Sequence, residues 1–379
     1  MPVDETRTQV GAVFPTHPAS AVKAVDGVLG SAAALGASDI HIDPRSRETL
    51  VRFRVDGELE AAGTLPAKLH EEMIARLKIL SGARTDLHAV PQDGRFHAVF
   101  DGRPYNVRVS FMPTYHGENV VARLLPAEAP EQDSFAALGF TPEHVTAIGR
   151  ALSAQNGLIL VTGPTGSGKT TTLRVCLGLK SLEPISVMTL EDPVEYEVPG
   201  VRHVHIRHAQ GVTFAAGLRA ALRQDPDVIM VGEIRDGETA RTAIHTALTG
   251  HLVFSTLHTT SALGAVARLS DMGVERYLIA ATLRMVVGQR LVRTICRECG
   301  GSGANCAHCR NTGLKGRSVI AEVLEADTGL RDRIARGEPL ESLRTYALSR
   351  GFREMPEDAA EKIDWGVTTK EEVWRALYV

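Results

Sequence analysis

The sequence has no apolar run long enough to cross a membrane and no secretory leader. Its apolar stretches fall short of the ~18 residues that a membrane span requires. The opening residues, MPVDETRTQVG, are polar and acidic, which excludes a signal peptide. Internal repeats and low-complexity tracts are also lacking, so neither a repeat array nor a biased linker protein is indicated.

An excess of charge of either sign is missing as well, and cysteine is scarce. The formal net charge of −3 gives no general argument for binding nucleic acid. Four of the five cysteines lie within TICRECGGSGANCAHCRNTG, which excludes a secreted disulfide framework and is typical of a cytosolic metal site. The remaining composition, 44% hydrophobic and 23% charged over 379 residues, is typical of a soluble globular protein with two or more domains.

Two stretches in the first third of the chain alternate apolar and polar residues with the period of a β-strand. TLVRFRVDGEL leads into a turn at Asp56-Gly57, and GRFHAVFDGRPYNVRVSF predicts a hairpin around Asp101-Gly102 with Arg108 on its polar face. Helical spacing over residues 19–35 and 73–80 predicts two helices. We therefore expect a flexible N-terminus over 1–18 and a smaller α+β domain over 19–125.

The pattern changes after PAEAPEQDS, which predicts a linker over 126–134. Short apolar strands (GLILVTG, ISVMTLE, DVIMVGE, HLVFSTLH) then alternate with helical segments, which predicts an α/β domain with a parallel sheet and helices on both faces. We place this domain at 135–293, a metal-binding knuckle at 294–315 and a helical C-terminal region at 316–379. The sheet is expected to be complete before the cysteines.

A phosphate-binding loop, G-x-x-x-x-G-K-T, runs from Gly163 to Thr170 between a predicted strand and a predicted helix. Its glycines let backbone N–H groups wrap a phosphate at the helix N-terminus. Lys169 is expected to reach the β- and γ-phosphates, and Thr170 to ligate Mg²⁺. The predicted nucleotide-binding residues are Gly163, Pro164, Thr165, Gly166, Ser167, Gly168, Lys169, Thr170 and Thr171.

Polar residues follow three other predicted strands at the edge where ligands of open parallel sheets bind. We assign Glu191 to orienting or deprotonating the attacking water, Glu233 to the Mg²⁺ shell through water, and His258 to sensing the γ-phosphate. Asp227 precedes its strand and is expected at the far end of the sheet. The alternative for each glutamate is a helix cap or an exposed turn, and for His258 a structural role. The remaining histidines considered are interpreted as solvated loop residues: His203, His205 and His208.

GPTGSGKTTTL, TLEDPVEY, LRQDPDVIMVGEIRDGETA and TGHLVFSTLHTTSA resemble, in this order, the Walker A, Asp-box, Walker B and His-box blocks of the type II secretion and type IV pilus assembly ATPases. The resemblance covers about residues 20 to 379 and implies a hexameric motor with a RecA-like ATPase domain, a PAS-like N-terminal domain and ATP bound between them. It also implies that Arg95, Arg108 and Arg123 close over the phosphates. Their alternative is a set of solvated charges on the sheet surface.

The four cysteines and the C-terminal segment resemble the assembly branch of this family more than its retraction branch, although the chain starts almost directly at the sheet domain. The resemblance implies a cytoplasmic homo-hexamer, peripheral on the inner membrane, with a platform protein and a docking protein as partners and no direct nucleic-acid contact. A retraction motor, a DNA-handling RecA-type motor and a non-catalytic nucleotide-gated scaffold are the alternatives. No N-K-x-D motif occurs, which favours ATP over GTP.

Two C-x-x-C pairs form a tetrahedral thiolate set suited to structural Zn²⁺. The predicted ligands are Cys296, Cys299, Cys306 and Cys309. Four cysteines fill the coordination shell, so the site is structural and not catalytic; redox use of one C-x-x-C pair is the alternative. Cys176, on the helix after the phosphate loop, is expected to be a buried core residue.

Overall fold

The computed structural model describes residues 13–127 and 134–378. The chain divides into two compact units, residues 1–130 and 131–379. Residues 1–12 of the predicted flexible N-terminus and residues 128–133 of the predicted linker lie outside the described residues.

The first unit contains a sheet in which all neighbouring strands are antiparallel, in the order β3-β2-β1-β6-β5-β4. Its elements are α1 (Ala21–Ala34), β1 (Asp39–Pro44), β2 (Glu48–Val55), β3 (Glu58–Pro66), α2 (His70–Ser81), β4 (Gln92–Phe100), β5 (Arg103–Thr114) and β6 (Gly117–Pro126). Residues of α1, of α2 and of one sheet face share a single apolar core.

The predicted alternation and both predicted turns of this unit are confirmed. Alternate residues of β2 are buried, and the strand turns into β3 at Asp56 and Gly57, whose φ values are 50° and 91°. Asp101 and Gly102 turn β4 into β5 with φ values of 48° and 76°. Asp-Gly pairs with positive φ suit two-residue hairpins because their twist matches that of the strands. The Asp101-Gly102 turn thereby fixes the pairing of β4 with β5 that places Arg95 opposite Arg108.

The second unit contains a sheet of order β13-β12-β7-β11-β10-β8-β9, parallel except for the β12–β13 pair. Its elements are α3 (Phe135–Leu138), α4 (Pro142–Leu152), β7 (Gly157–Thr162), α5 (Lys169–Ser181), β8 (Val187–Glu191), β9 (Val201–His205), α6 (Phe214–Ala221), β10 (Val228–Val231), α7 (Gly237–Leu248), β11 (Leu252–Leu257), α8 (Ala262–Asp271), α9 (Arg276–Thr282), β12 (Leu283–Ile295), β13 (Leu314–Glu325), α10 (Thr328–Ala335), α11 (Leu340–Ser349), α12 (Met355–Asp364) and α13 (Lys370–Tyr378).

The central strands of this sheet are buried on both faces. Every residue of β7 is buried; Leu158 and Leu160 join one apolar core, whereas Ile159 and Val161 join another. A parallel sheet requires this arrangement, since its crossover helices cover both of its faces. The predicted α/β architecture is therefore present, and the carboxyl ends of the parallel strands meet along one edge.

The prediction that the sheet is complete before the cysteines is wrong. Strand β13 follows them and returns antiparallel to β12, so the cysteine segment is the tip of a hairpin that belongs to the sheet. The predicted helical region therefore begins with a strand, and its helices start at Thr328. Buried contacts from α12 stabilise β13: Asp358 Oδ2 accepts a hydrogen bond from Ala321 N at 2.7 Å, and Lys362 Nζ donates to Asp358 and to the Val319 carbonyl.

Candidate active site

The phosphate loop lies between β7 and α5, as predicted. Gly163, Gly166 and Gly168 have φ values of 151°, 78° and 87°. A Cβ on Gly163 would lie 2.4 Å from the carbonyl oxygen of Gln289, so a side chain cannot be accommodated there. The loop leads directly into α5 at Lys169. The result is a cradle of backbone N–H groups at a helix N-terminus, where an anion binds favourably.

The side chain of Lys169 lies against the phosphate loop and contacts its backbone. Its Nζ donates to the carbonyl oxygens of Gly163 and Pro164 at 2.8 and 2.9 Å. Burial lowers the pKa of Lys169 to about 8, an effect that the negative charge of Glu233 opposes and the positive charge of Arg290 reinforces. The amine is therefore a partly desolvated cation that an added phosphate would stabilise.

A buried glutamine on β12 hydrogen-bonds both the phosphate loop and the helix that follows it. Gln289 Nε2 donates to the Ser167 carbonyl at 2.7 Å, and Gln289 Oε1 accepts from Thr172 Oγ1 at 2.8 Å. Within the described residues, the buried hydroxyl oxygen of Ser167 has no hydrogen-bond partner. A phosphate oxygen in the cradle would supply one. The backbone of the loop thus has the shape of a phosphate site, and the Ser167 hydroxyl has an open position for a hydrogen bond to a phosphate oxygen.

Glu233 and His258 lie where the sequence predicts, after the carboxyl ends of β10 and β11. Glu233 Oε2 is 2.6 Å from Arg235 Nε and 3.9 Å from His258 Nε2. Burial and the charge of Lys169 lower the pKa of His258, which favours its neutral form. Asp227 lies at the opposite end of the sheet, where its Oδ2 accepts a hydrogen bond from Ser186 N at 2.7 Å. The geometry therefore prefers Glu233 over Asp227 as the acidic residue near the phosphates.

Glu191 is the last residue of β8 and is buried, with 7% of its surface exposed. Its Oε1 accepts from Thr189 Oγ1 at 2.6 Å and lies 2.8 Å from His203 Nδ1. The interpretation of His203 and His205 as loop residues is wrong, because both lie on β9, the edge strand beside β8. VRHVH was missed because this edge strand lacks the continuous apolar run of the central strands. His208, which is exposed and lies beyond β9, is 3.3 Å from Asp192.

Three arginines form a row across the sheet of the first unit. Arg95 on β4 faces Arg108 on β5, and Arg108 faces Arg123 on β6. Beyond the row, Asp39 on β1 accepts from Arg123 Nε at 2.8 Å. Like charges directly opposite one another destabilise a sheet. The row therefore carries three like charges across neighbouring strands, of which Arg123 is paired with Asp39.

The four cysteine sulfurs of the β12–β13 tip all lie within 4.8 Å of one another. Cys296 Sγ is 3.9 Å from Cys306 Sγ, and Cys299 Sγ is 3.7 Å from Cys309 Sγ. Tetrahedral zinc with Zn–S bonds of about 2.3 Å places its sulfurs about 3.8 Å apart. A hydrogen bond from Gly303 N lowers the pKa of Cys299 to about 6, whereas burial and the neighbouring cysteines raise the pKa of Cys306 to about 11, so the support for a metal comes from the sulfur geometry. The donor set therefore fits zinc.

Comparison with known proteins identifies the family. The family described as "Type II/IV secretion system protein" matches residues 16–375. The chain belongs to this family. It is 42% identical over 363 residues to the type II secretion system protein HxcR of Pseudomonas aeruginosa, covering 94% of this chain and 77% of that protein. It is 40% identical over 379 residues to the type II secretion system ATPase E of Vibrio cholerae, covering 93% and 75%.

The chain is also similar to a pilus assembly ATPase and to solved structures of two further proteins. The type IV pilus assembly ATPase PilB of Thermus thermophilus is 40% identical over 381 residues, which cover 93% of this chain and 42% of PilB. The structure of the ATPase DotB of Legionella pneumophila matches with a TM-score of 0.73 at 25% identity, covering 94% of this chain and 95% of DotB. The pilus retraction motor PilT with bound ADP matches with a TM-score of 0.67 at 28% identity, covering 92% and 95%.

This secretion-family chain is therefore an ATPase, as its phosphate loop predicts. Each helix in the described part of the chain is too short or too polar to cross a lipid bilayer. Sequence reasoning missed two side chains of the site, Gln289 and His203. Gln289 stands in GQRLVRTIC without any local chemical signal, and only the pairing of β12 with β7 brings it beneath the loop.

Proposed function

We propose that this chain is the subunit of a homo-hexameric motor that couples Mg²⁺-dependent ATP hydrolysis to assembly of a type IV pilus or a secretion pseudopilus at the inner membrane. One observation carries the proposal. A complete phosphate loop and two carboxylates meet at one sheet edge in a chain about 40% identical to named type II secretion and pilus assembly ATPases. The relatives' identities support assembly over retraction, because PilT is only 28% identical.

In this proposal, residues Gly163 to Thr171 hold the nucleotide phosphates, and Thr170 with Glu233 holds Mg²⁺. Hydroxyl and carboxylate oxygens are the ligands that Mg²⁺ prefers. Bound Mg²⁺ would neutralise charge on the phosphates. Lys169 would exchange its carbonyl partners on the loop for phosphate oxygens, and the unpartnered hydroxyl of Ser167 would gain an acceptor or donor.

Glu191 would orient the attacking water and accept its proton. Its Oε1 is occupied by Thr189 and His203, and no partner of Oε2 is found in the described ranges 13–127 and 134–378. A carboxylate held at one oxygen presents the other in a defined direction. His258, favoured in its neutral form, could hydrogen-bond the γ-phosphate and report its presence.

The arginine row would bind the phosphates of the same reaction. Guanidinium groups suit this role because they stay charged and can span two phosphate oxygens. Replacing Arg108 by Gln should lower the turnover rate. Replacing Asn106 by Ser is the matched control, because Asn106 lies on the same face of β5 and is half-buried like Arg108; it should leave the rate unchanged. A wild-type turnover rate in the Arg108 variant would contradict the proposed role of the arginine row in binding phosphates.

The cysteine cluster would bind structural zinc at the tip of the β12–β13 hairpin. The sulfur spacing supports this, because sulfurs of different C-x-x-C pairs lie 3.9 and 3.7 Å apart and all four lie within 4.8 Å of one another. A redox pair would instead join two cysteines of one motif. Bound zinc would stabilise the β12–β13 hairpin, whose second strand, β13, is an edge strand of the sheet.

The experiment that tests the motor proposal measures assembly and turnover on one sample. Oligomers are separated by size in the presence of MgATP, and phosphate release is then measured in each fraction. We expect the release in the hexamer fraction. Lys169→Ala should abolish that release, whereas Asp332→Asn, which removes an exposed carboxylate of α10, should preserve it. Release confined to monomer would contradict the proposal. Stimulation by DNA that weakens with added salt would instead support the DNA-handling alternative.

A further inference from the structure

His203 completes a small side-chain network around Glu191 that neither strand could form alone. Strand β9 lies parallel to β8 with His203 opposite Thr189. Thr189 Oγ1 is 2.6 Å from Glu191 Oε1 and 2.9 Å from His203 Nδ1, and His203 Nδ1 is 2.8 Å from Glu191 Oε1. These three polar atoms therefore form a closed triangle in which the carboxylate oxygen Glu191 Oε1 is one corner.

The hydrogen bond at the other ring nitrogen of His203, Nε2, shows which nitrogen carries the proton. Val198 N donates a hydrogen bond to His203 Nε2 at 3.0 Å. A nitrogen that accepts a hydrogen bond carries no proton, so the ring proton of neutral His203 is on Nδ1 and points toward Glu191 Oε1. The His203 side chain is 11% exposed, which limits competition from water.

We propose that His203 is a positioning residue for the ATPase reaction: its Nδ1–H holds Glu191 Oε1, so that Oε2 faces the attacking water. The proposal rests on the function proposed above, in which Glu191 acts on that water. Thr189 donates to the same oxygen and shares the task. The side chains of Thr189 and His203 together thus fix the orientation of the Glu191 carboxylate.

The geometry also separates this role from a contribution to nucleotide binding. The contacts of His203 in the described residues run to β8 and to the turn before β9, and none of them involves the phosphate loop. Loss of the ring should therefore reduce the turnover rate and leave nucleotide affinity unchanged. A merely structural role would lower stability and affinity together.

The test compares kcat and ADP affinity in purified variants of the full chain. His203→Ala should lower kcat about tenfold or more with ADP affinity within twofold of wild type, because small displacements of a catalytic group reduce rates strongly. His203→Asn, which keeps an N–H donor near the Nδ1 position, should recover part of that loss. His245→Ala, at an exposed histidine of α7, should change neither quantity.

A second comparison shows whether His203 acts through Glu191. In a Glu191→Gln background, His203→Ala should reduce the residual kcat no further, because the group that it positions is already gone. A full additional loss in that background overturns the inference, and so does a wild-type kcat in His203→Ala with an intact thermal transition. If Glu191→Gln itself turns over normally, the proposed role of Glu191 fails instead. The two failures are therefore distinguishable.

Discussion

Lys169 gives the site a pH dependence that can be calculated. In the free chain its amine donates to two loop carbonyls, and burial lowers its pKa to about 8. Nucleotide phosphates bring negative charge to the amine and should raise that pKa, since an opposite charge favours the charged form. Binding should therefore take up a proton above pH 8. Affinity should be full below that pH and fall as the pH rises through the pKa of the free chain.

The size of the effect follows from the fraction of chains with a charged lysine. With a pKa of about 8, roughly nine-tenths of the amines are protonated at pH 7, half at pH 8 and a tenth at pH 9. If only the protonated form binds ADP well, the apparent Kd should rise about tenfold between pH 7 and pH 9. His258 cannot produce this change, because its pKa is lowered from a value of 6.5.

Isothermal titration calorimetry with ADP measures both parts of the prediction. The Kd is recorded at pH 7, 8 and 9, and proton uptake is obtained from buffers with different ionisation enthalpies. Lys169→Arg, whose charge is permanent, should bind with a Kd that is independent of pH over this range. An unchanged wild-type Kd at the highest pH, without proton uptake, would refute the reasoning.

Three further changes test the elements that support the site. Gln289→Leu removes the buried partner of Ser167 and Thr172, so the free energy of unfolding in a denaturant titration should fall by about 1–3 kcal/mol; an unchanged midpoint would contradict this. Lys362→Met leaves Asp358 buried without its cation and should reduce that free energy by about 3–5 kcal/mol, with partial recovery in Lys362→Met/Asp358→Leu. Elemental analysis should find about one zinc per chain and a loss of zinc in Cys299→Ser but not in Cys176→Ser; a zinc-free wild type would exclude the metal site.

Local features of the sequence predicted where most residues of the candidate site lie in the fold. The phosphate loop is readable because strand, glycines and helix follow one another without a break, and their chemistry requires no distant partner. Glu191, Glu233 and His258 were predictable because parallel strands bring their carboxyl ends to one edge. Cys176 was expected in the core and is 2% exposed, and burial raises its pKa to about 12.

The features that were missed depend on pairings between distant segments. His203 acquires its role only when β9 lies beside β8, and β13 joins the sheet only across the cysteine tip. The arginine row is an intermediate case. The Asp101-Gly102 turn sets Arg95 opposite Arg108 by simple counting, whereas the Tyr115-His116 turn that aligns Arg123 has no residue typical of a tight turn.

The central claim is that Glu191 acts on the attacking water beside a phosphate loop that binds independently of it. Steady-state phosphate release from MgATP by wild type and Glu191→Gln, with ADP affinity measured on the same preparations, tests it most directly. We predict a loss of release of at least about a hundredfold in the variant with unchanged ADP affinity. Release at the wild-type rate in Glu191→Gln would contradict the account.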